Sequence, residues 1–195
     1  MPVDVATFRL EPNCALRKLH TSPTLGEVER ALARPMLRDE RGGAPMTVKE
    51  IRELPIFAGV TDRDLAWLLD RSRLVTVDPG DVVISRVVRP NHFVFLLVGR
   101  WSVFRFPQHP SEPLTIVEDR PGSWQGGGLD MLDVLAPCEV RVEVLSRLLL
   151  APRTAINDLS LRAPALGRRL LAGLRTRVDQ VADHVEAGRA DRAVA

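Results

Sequence analysis

Residues 93–106 read FVFLLVGRWSVFRF, and this stretch decides the fold class. Its two halves, Phe93–Val98 and Trp101–Phe106, are rich in β-branched and aromatic residues, and the turn Val98-Gly99-Arg100 separates them. That is the pattern of two strands joined by a tight connection. The apolar run Phe93–Val98 falls far short of the roughly 20 residues that span a bilayer, so it reads as core and not as a membrane segment. Outward on both sides the period stays alternating from Leu74 to Leu150, with further strands expected at Leu74–Val77, Val82–Ser85, Leu114–Val117, Val140–Val144 and Arg147–Leu150. Turn residues punctuate it at Asp78-Pro79-Gly80 and Arg120-Pro121-Gly122. Val140, Val142 and Val144 face one way and Arg141 and Glu143 the other, the signature of a sheet with one wet face. Many short antiparallel strands that must hide their edges imply a jelly roll or barrel.

Helical signals flank this region, so the class is mainly β with flanking helices. Thr47 and Glu50 have capping-box spacing ahead of Ile51 and Leu54, and Thr61 and Asp64 repeat it ahead of Leu65, Leu68 and Leu69, a helix expected to reach about Ser72. After Pro152 a short helix is expected over Arg153–Leu161, and Ala163-Pro164 opens a long one ending near Glu186. Within it Leu171, Leu174, Val178, Val181 and Val185 form a narrow a/d seam of two heptads. Homodimerisation through this helix is the expectation, with packing against the chain's own barrel as the alternative. Residues 1–46 carry scattered prolines and close in Arg41-Gly42-Gly43, which predicts a partly extended segment. One short helix is expected in it, over Leu25, Val28 and Leu32, placed either on the core or against a protein partner. The organisation is therefore 1–46 as an N-terminal segment, 47–186 as the main domain and 187–195 as a frayed tail.

Composition narrows the functions. The chain has 195 residues, 45% hydrophobic and 27% charged, enough for one sizeable core. Lys and Arg number 27 against 25 acidic residues, a net charge of +2, which supplies no global field for nucleic-acid binding. The basic residues are almost all Arg, with only Lys18 and Lys49 as exceptions. Asp4 and Arg9 interrupt the place where a signal peptide needs its apolar core, and Cys14 and Cys138 make no disulfide framework. A cytoplasmic setting is expected, without a membrane. His20, His92, His109 and His184 are isolated, with no His-x-His pair, so no metal is expected and a metal-dependent enzyme of the cupin type is disfavoured.

Sequence detail over residues 50–180 resembles the cyclic-nucleotide-binding domain of the CRP/FNR regulators and of protein kinase A regulatory subunits. Leu54-Pro55-Ile56-Phe57-Ala58-Gly59-Val60-Thr61 with Asp64-Leu65 is similar to that family's opening motif, and Val77-Asp78-Pro79-Gly80-Asp81-Val82-Val83 to its first glycine turn. Phe93–Arg100 resembles its central strand and turn, and Arg120-Pro121-Gly122-Ser123-Trp124 the approach to its phosphate-binding cassette. The resemblance implies a cyclic-nucleotide-binding-like jelly-roll β-barrel, a double-stranded β-helix, with a long C-terminal helix. It also implies a ligand site formed by Trp124, Gln125, Gly126, Gly127, Gly128, Leu129, Ala136, Pro137 and Cys138.

That cassette departs from the family at both of its gripping side chains. Gly127 stands where a Glu is expected to hold the ribose, and Ala136 or Pro137 where an Arg is expected to neutralise the cyclic phosphate. Asp130 and Asp133 add negative charge nearby, and Val181 and Ala182 are apolar where the family caps the purine with polar groups. Losing a charge-assisted bond costs about 1.5–3 kcal/mol. Arg141 and Arg86 are candidate replacement cations, though the alternation turns Arg141 outward. The Gly126–Gly128 run reads as a flexible turn or as a backbone-lined niche, and Trp124 as a core anchor more than a stacking platform. The expectation is a non-enzymatic regulatory or scaffold domain without cofactor and without direct DNA contact. It would act through an unknown protein partner or as a homodimer, with cyclic-nucleotide binding disfavoured. A regulator gated by a nucleotide or another small molecule in the jelly-roll pocket is the alternative.

Overall fold

The computed structural model describes residues 46–85, 91–105, 114–126 and 138–194, with side chains through Ala187. The chain divides into Met1–Arg34 and Pro35–Ala195, and every described residue belongs to the second unit. The helix expected over Leu25–Leu32 lies outside the described residues.

Two capped helices open the unit. Helix α1 (Val48–Arg52) starts at a capping box in which the Thr47 hydroxyl accepts from the Glu50 amide and the Glu50 carboxylate accepts from the Thr47 amide. A 3₁₀ turn (Pro55–Phe57) follows, with Pro at its first position. Helix α2 (Asp62–Leu69) is capped by Thr61, whose hydroxyl accepts from the Asp64 amide. All three bury their apolar positions, among them Ile51, Phe57, Leu65 and Leu68.

Eight strands follow: β1 (Arg73–Val77), β2 (Val82–Ile84), β3 (His92–Val98), β4 (Trp101–Arg105), β5 (Leu114–Glu118), β6 (Trp124–Gly126), β7 (Cys138–Val142) and β8 (Ser146–Pro152). They form two antiparallel four-stranded sheets in the orders β1-β8-β3-β6 and β2-β7-β4-β5, the jelly roll that the resemblance implies. Helices α3 (Arg153–Arg162) and α4 (Pro164–Val194) complete the chain. Helix α4 continues past its expected end near Glu186, through the residues expected to fray.

The apolar run that opened the sequence reading has a simple explanation in this layering. Val94 and Leu96 of β3 pack with Leu148 and Leu150 of β8 against Trp101, Val103 and Val140 of the facing sheet. Phe93, Phe95 and Leu97, on the opposite side of the same strand, pack with Leu149 and Ala151 against the helices, Ile156, Leu159, Leu166 and Leu170 included. A strand covered on both faces has no wet side, so it reads as a continuous run and not as an alternation.

Strand β6 is absent from the sequence reading, where its residues were assigned wholly to the cassette. Trp124-Gln125-Gly126 is too short to show a period. Its pairing with Phe93–Phe95 of β3 makes it a strand.

At the β3–β4 turn Gly99 has φ +117°, and a Cβ there would lie 2.8 Å from the Ser146 Cα. Ser146 in turn accepts from the Arg100 amide at 3.2 Å and donates to the Val144 carbonyl at 2.7 Å. Backbone strain and overlap act together at this position. Replacement Gly99→Ala is expected to lower unfolding free energy by at least about 2 kcal/mol, measured by urea denaturation. Gly80→Ala, strained at φ +91° but with open space around its Cβ, should cost less.

Candidate functional site

The end of the sandwich at β6 and β5, the two sheet-edge strands on this side, holds three of the buried polar residues, Arg105, Gln125 and Arg177. On β4, Trp101, Val103 and Arg105 share one face by the two-residue period, and that face looks into the space between the sheets. Arg105 is only 1% exposed. Its cross-strand neighbours are Leu114 on β5 and Cys138 on β7. Across the sandwich, the fully buried Gln125 of β6 accepts from Arg105 Nη2 through Oε1 at 3.3 Å. Gln125 Nε2 donates onward to Glu118 at 3.3 Å, and Glu118 also accepts from Trp101 Nε1 at 2.8 Å. Trp101, Glu118, Gln125 and Arg105 thus form one chain of hydrogen bonds.

Helix α4 closes this end. Its inward stripe runs Leu166, Leu170, Gly173, Arg177, spaced four, three and four residues. Gly173 lets the helix come close to Trp124, since a Cβ there would lie 3.2 Å from the indole Cζ2. One turn on, the Arg177 guanidinium stacks over the Trp124 ring at 4.0 Å and donates to the Trp124 carbonyl. Phe93 also packs on Trp124, with ring centroids 5.5 Å apart and the planes tilted by 44°. Arg177 is 7% exposed, and burial pushes its guanidinium down to about 10; Glu118 counters this fall and Arg105 adds to it. Burial lowers Arg105 as well. Both remain cations at neutral pH.

Arg105 Nε, Arg105 Nη1 and Arg177 Nη1 are buried and have no hydrogen-bond partner among the described residues. Native interiors pair nearly all such groups.

Of the sequence-predicted site residues, Trp124, Gln125 and Gly126 form β6 and Cys138 opens β7. Trp124 is the core anchor. Gln125 contributes its side chain to the interior network and not only a backbone donor. Gly127, Gly128, Leu129, Ala136 and Pro137 lie outside the described residues, as does Arg86. Arg141 pairs with Glu139 at 2.7 Å on the outer face of β7, in keeping with its expected outward direction.

Arg177 is buried, whereas Arg168 and Arg175 on the same helix are exposed. Leu171, the first residue of the expected helical seam, is 65% exposed, and Leu174 packs on the chain's own core. The inward stripe is rotated by one position from the heptad, because Gly173 and not a large residue faces Trp124. Sequence reasoning missed Arg105 altogether, although its place in the period Trp101, Val103, Arg105 marks it as inward.

Two facing antiparallel sheets in this strand order, with a long helix closing the open end, settle the architecture. The fold is that of a cyclic-nucleotide-binding domain. The sensor domain of the transcriptional regulator DNR from Pseudomonas aeruginosa superposes at a TM-score of 0.55 and 21% identity, over 67% of this chain and 91% of that one. The catabolite activator protein of Thermus thermophilus gives 0.54 at 18% identity, over 68% of this chain and 62% of that one. The regulatory subunit of a cAMP-independent protein kinase A from Trypanosoma brucei gives 0.53 at 13%, over 63% and 45%. The chain therefore spans less than two thirds of the length of the latter two. No family model and no curated protein matches the sequence. Within the cyclic-nucleotide-binding fold, the described part of this chain places its buried cations on β4 and α4.

The close approach at Gly173 is directly testable. Alanine gains up to about 1 kcal/mol of helix propensity over glycine, but at Gly173 it must displace a Trp124 ring clamped between Phe93 and Arg177. Gly173→Ala is expected to lower the thermal midpoint. Gly167→Ala, whose Cβ would make ordinary contact at 3.5 Å with Ser160, is expected to raise it.

Proposed function

We propose that this chain is a non-enzymatic regulatory domain that acts through helix α4, by self-association or by engaging a protein partner, and that its interior is not built for an ordinary cyclic nucleotide. The observation that carries the first part is the division of the apolar positions on α4. Leu166 and Leu170 are buried against the domain, whereas Leu171 stands in solvent and Val178, Val181 and Val185 are half-buried. A second copy of the helix is the occupant that the spacing Leu171, Leu174, Val178, Val181, Val185 fits. The second part rests on Gly127, Ala136 and Pro137, which offer no charge where a cyclic phosphate and its ribose are gripped in the proteins this chain resembles.

Gating by a different small molecule is a second reading, and the buried Arg105 between the sheets, two of whose guanidinium nitrogens have no partner among the described residues, favours it. The setting proposed is the cytoplasm; no described helix is long and apolar enough to cross a membrane.

Light scattering tests the self-association. The double replacement Leu171→Glu with Val185→Glu avoids Leu174, which packs on the domain's own core. It is expected to halve the mass in solution while leaving the circular dichroism spectrum unchanged. An unchanged mass removes self-association through this face. Calorimetry with cAMP and with cGMP is expected to give no saturable heat in the low micromolar range, and a saturable one would reverse the second part.

A further inference from the structure

Cys138, the first residue of β7, lies directly across from Arg105 of β4 in the antiparallel register, and such opposed pairs hold their Cβ atoms about 4.5–5.5 Å apart. Both face inward. Arg105 continues the side of β4 that carries Trp101 and Val103, and Cys138 the side of β7 that carries Val140 and Val142. Arg105 is 1% exposed, and its Nε and Nη1 have no hydrogen-bond partner among the described residues, while Nη2 donates to Gln125. Cys138 is half-buried and carries a thiol. Burial lowers the Arg105 guanidinium, and negative charge at Cys138 opposes that fall ahead of Glu118. The attraction is mutual, so the cation favours thiolate over thiol at Cys138. Arg177 of α4, lowered mainly by burial, feels Glu118 and, more weakly, Cys138. Glu118 of β5, the carboxylate at this end among the described residues, already accepts from Trp101 and Gln125.

We propose that Cys138 is a peroxide-reactive thiolate, activated by Arg105 across the β4–β7 pair. A cysteine set among apolar side chains alone is inert, and a neighbouring guanidinium is what turns such a residue into a nucleophile. The reaction with hydrogen peroxide is a two-electron oxidation. The Cys138 sulfur attacks one peroxide oxygen, and the S–O bond forms as the O–O bond breaks. The transferred oxygen keeps its proton, which gives the sulfenic acid, and the other oxygen leaves as hydroxide and takes a proton from solvent. Sulfur is oxidised and peroxide is reduced. Two equivalents of a small thiol return the residue, the first forming a mixed disulfide with loss of water and the second releasing Cys138 as the thiol. Arg105 is a positioning residue: it acts through the charge on the sulfur and makes no bond to the oxidant. This inference goes beyond self-association through α4 and does not rest on it.

The test follows Cys138 by site-resolved mass spectrometry in the full chain, reduced and then freed of reductant, at neutral pH. Iodoacetamide is one probe, and hydrogen peroxide with dimedone to trap the sulfenic acid is the other. With each, Cys138 is expected to react about tenfold faster or more in the folded chain than in the same chain unfolded in urea, since an ordinary thiol is only a few per cent thiolate at this pH. Arg105→Met is expected to bring the folded rate to or below the unfolded one, whereas Arg105→Lys keeps most of the acceleration. The proposal fails if Cys138 of the folded wild type reacts no faster than in urea, the result expected if a carboxylate from elsewhere in the chain is seated on Arg105 or if burial alone governs the thiol. It fails equally if peroxide gives no dimedone adduct at Cys138, or if folded Arg105→Met keeps the wild-type rate. Circular dichroism shows whether Arg105→Met folds, and the folded-against-unfolded comparison in the wild type needs no variant. The mass in solution, read on the reduced samples, keeps the outcome for self-association separate.

Discussion

The Arg177 guanidinium holds the last helix to the β-sandwich. It stacks on Trp124, donates to the carbonyl of the same residue, and lies buried while doing so. Trp124 packs against this guanidinium and against Phe93, β6 pairs with β3, and the alternation along β6 aims Gln125 into the space between the sheets. Removing water from a guanidinium is costly, and stacking on an indole recovers only part of the cost. The helix is thus docked by a guanidinium one of whose nitrogens has no hydrogen-bond partner among the described residues.

The fold supports this arrangement by layering. The sheet β1-β8-β3-β6 is the middle layer, with helices on one face and the second sheet on the other, and Phe93–Leu97 and Leu148–Ala151 of its central strands are buried. Solved structures at this similarity share the architecture alone, and the site must be argued from its own residues.

Local chemistry made much of the fold legible. Thr47 with Glu50 and Thr61 with Asp64 announce helix starts because capping is an interaction over three residues. Gly80, Gly99 and Gly122 announce turns because each adopts positive φ. The strands came through as periods, including the odd one, Phe93–Val98, whose unbroken apolar character reports burial on two faces. Strand β6 left no such trace, since three residues with a terminal glycine cannot show a period and owe their extended form to Phe93–Phe95 alongside.

The sequence by itself thus determined the helix starts, the turns, most of the strands and the jelly-roll class. Tertiary structure alone decided that Arg105 and Arg177 are buried together, that Leu171 looks outward, and that Gln125 works through its side chain. The physical reason is that burial and pairing depend on what lies opposite. Arg105 and Gln125 are 20 residues apart in sequence and Arg177 and Trp124 are 53 apart, and only the packing of two sheets and a helix brings each pair within reach.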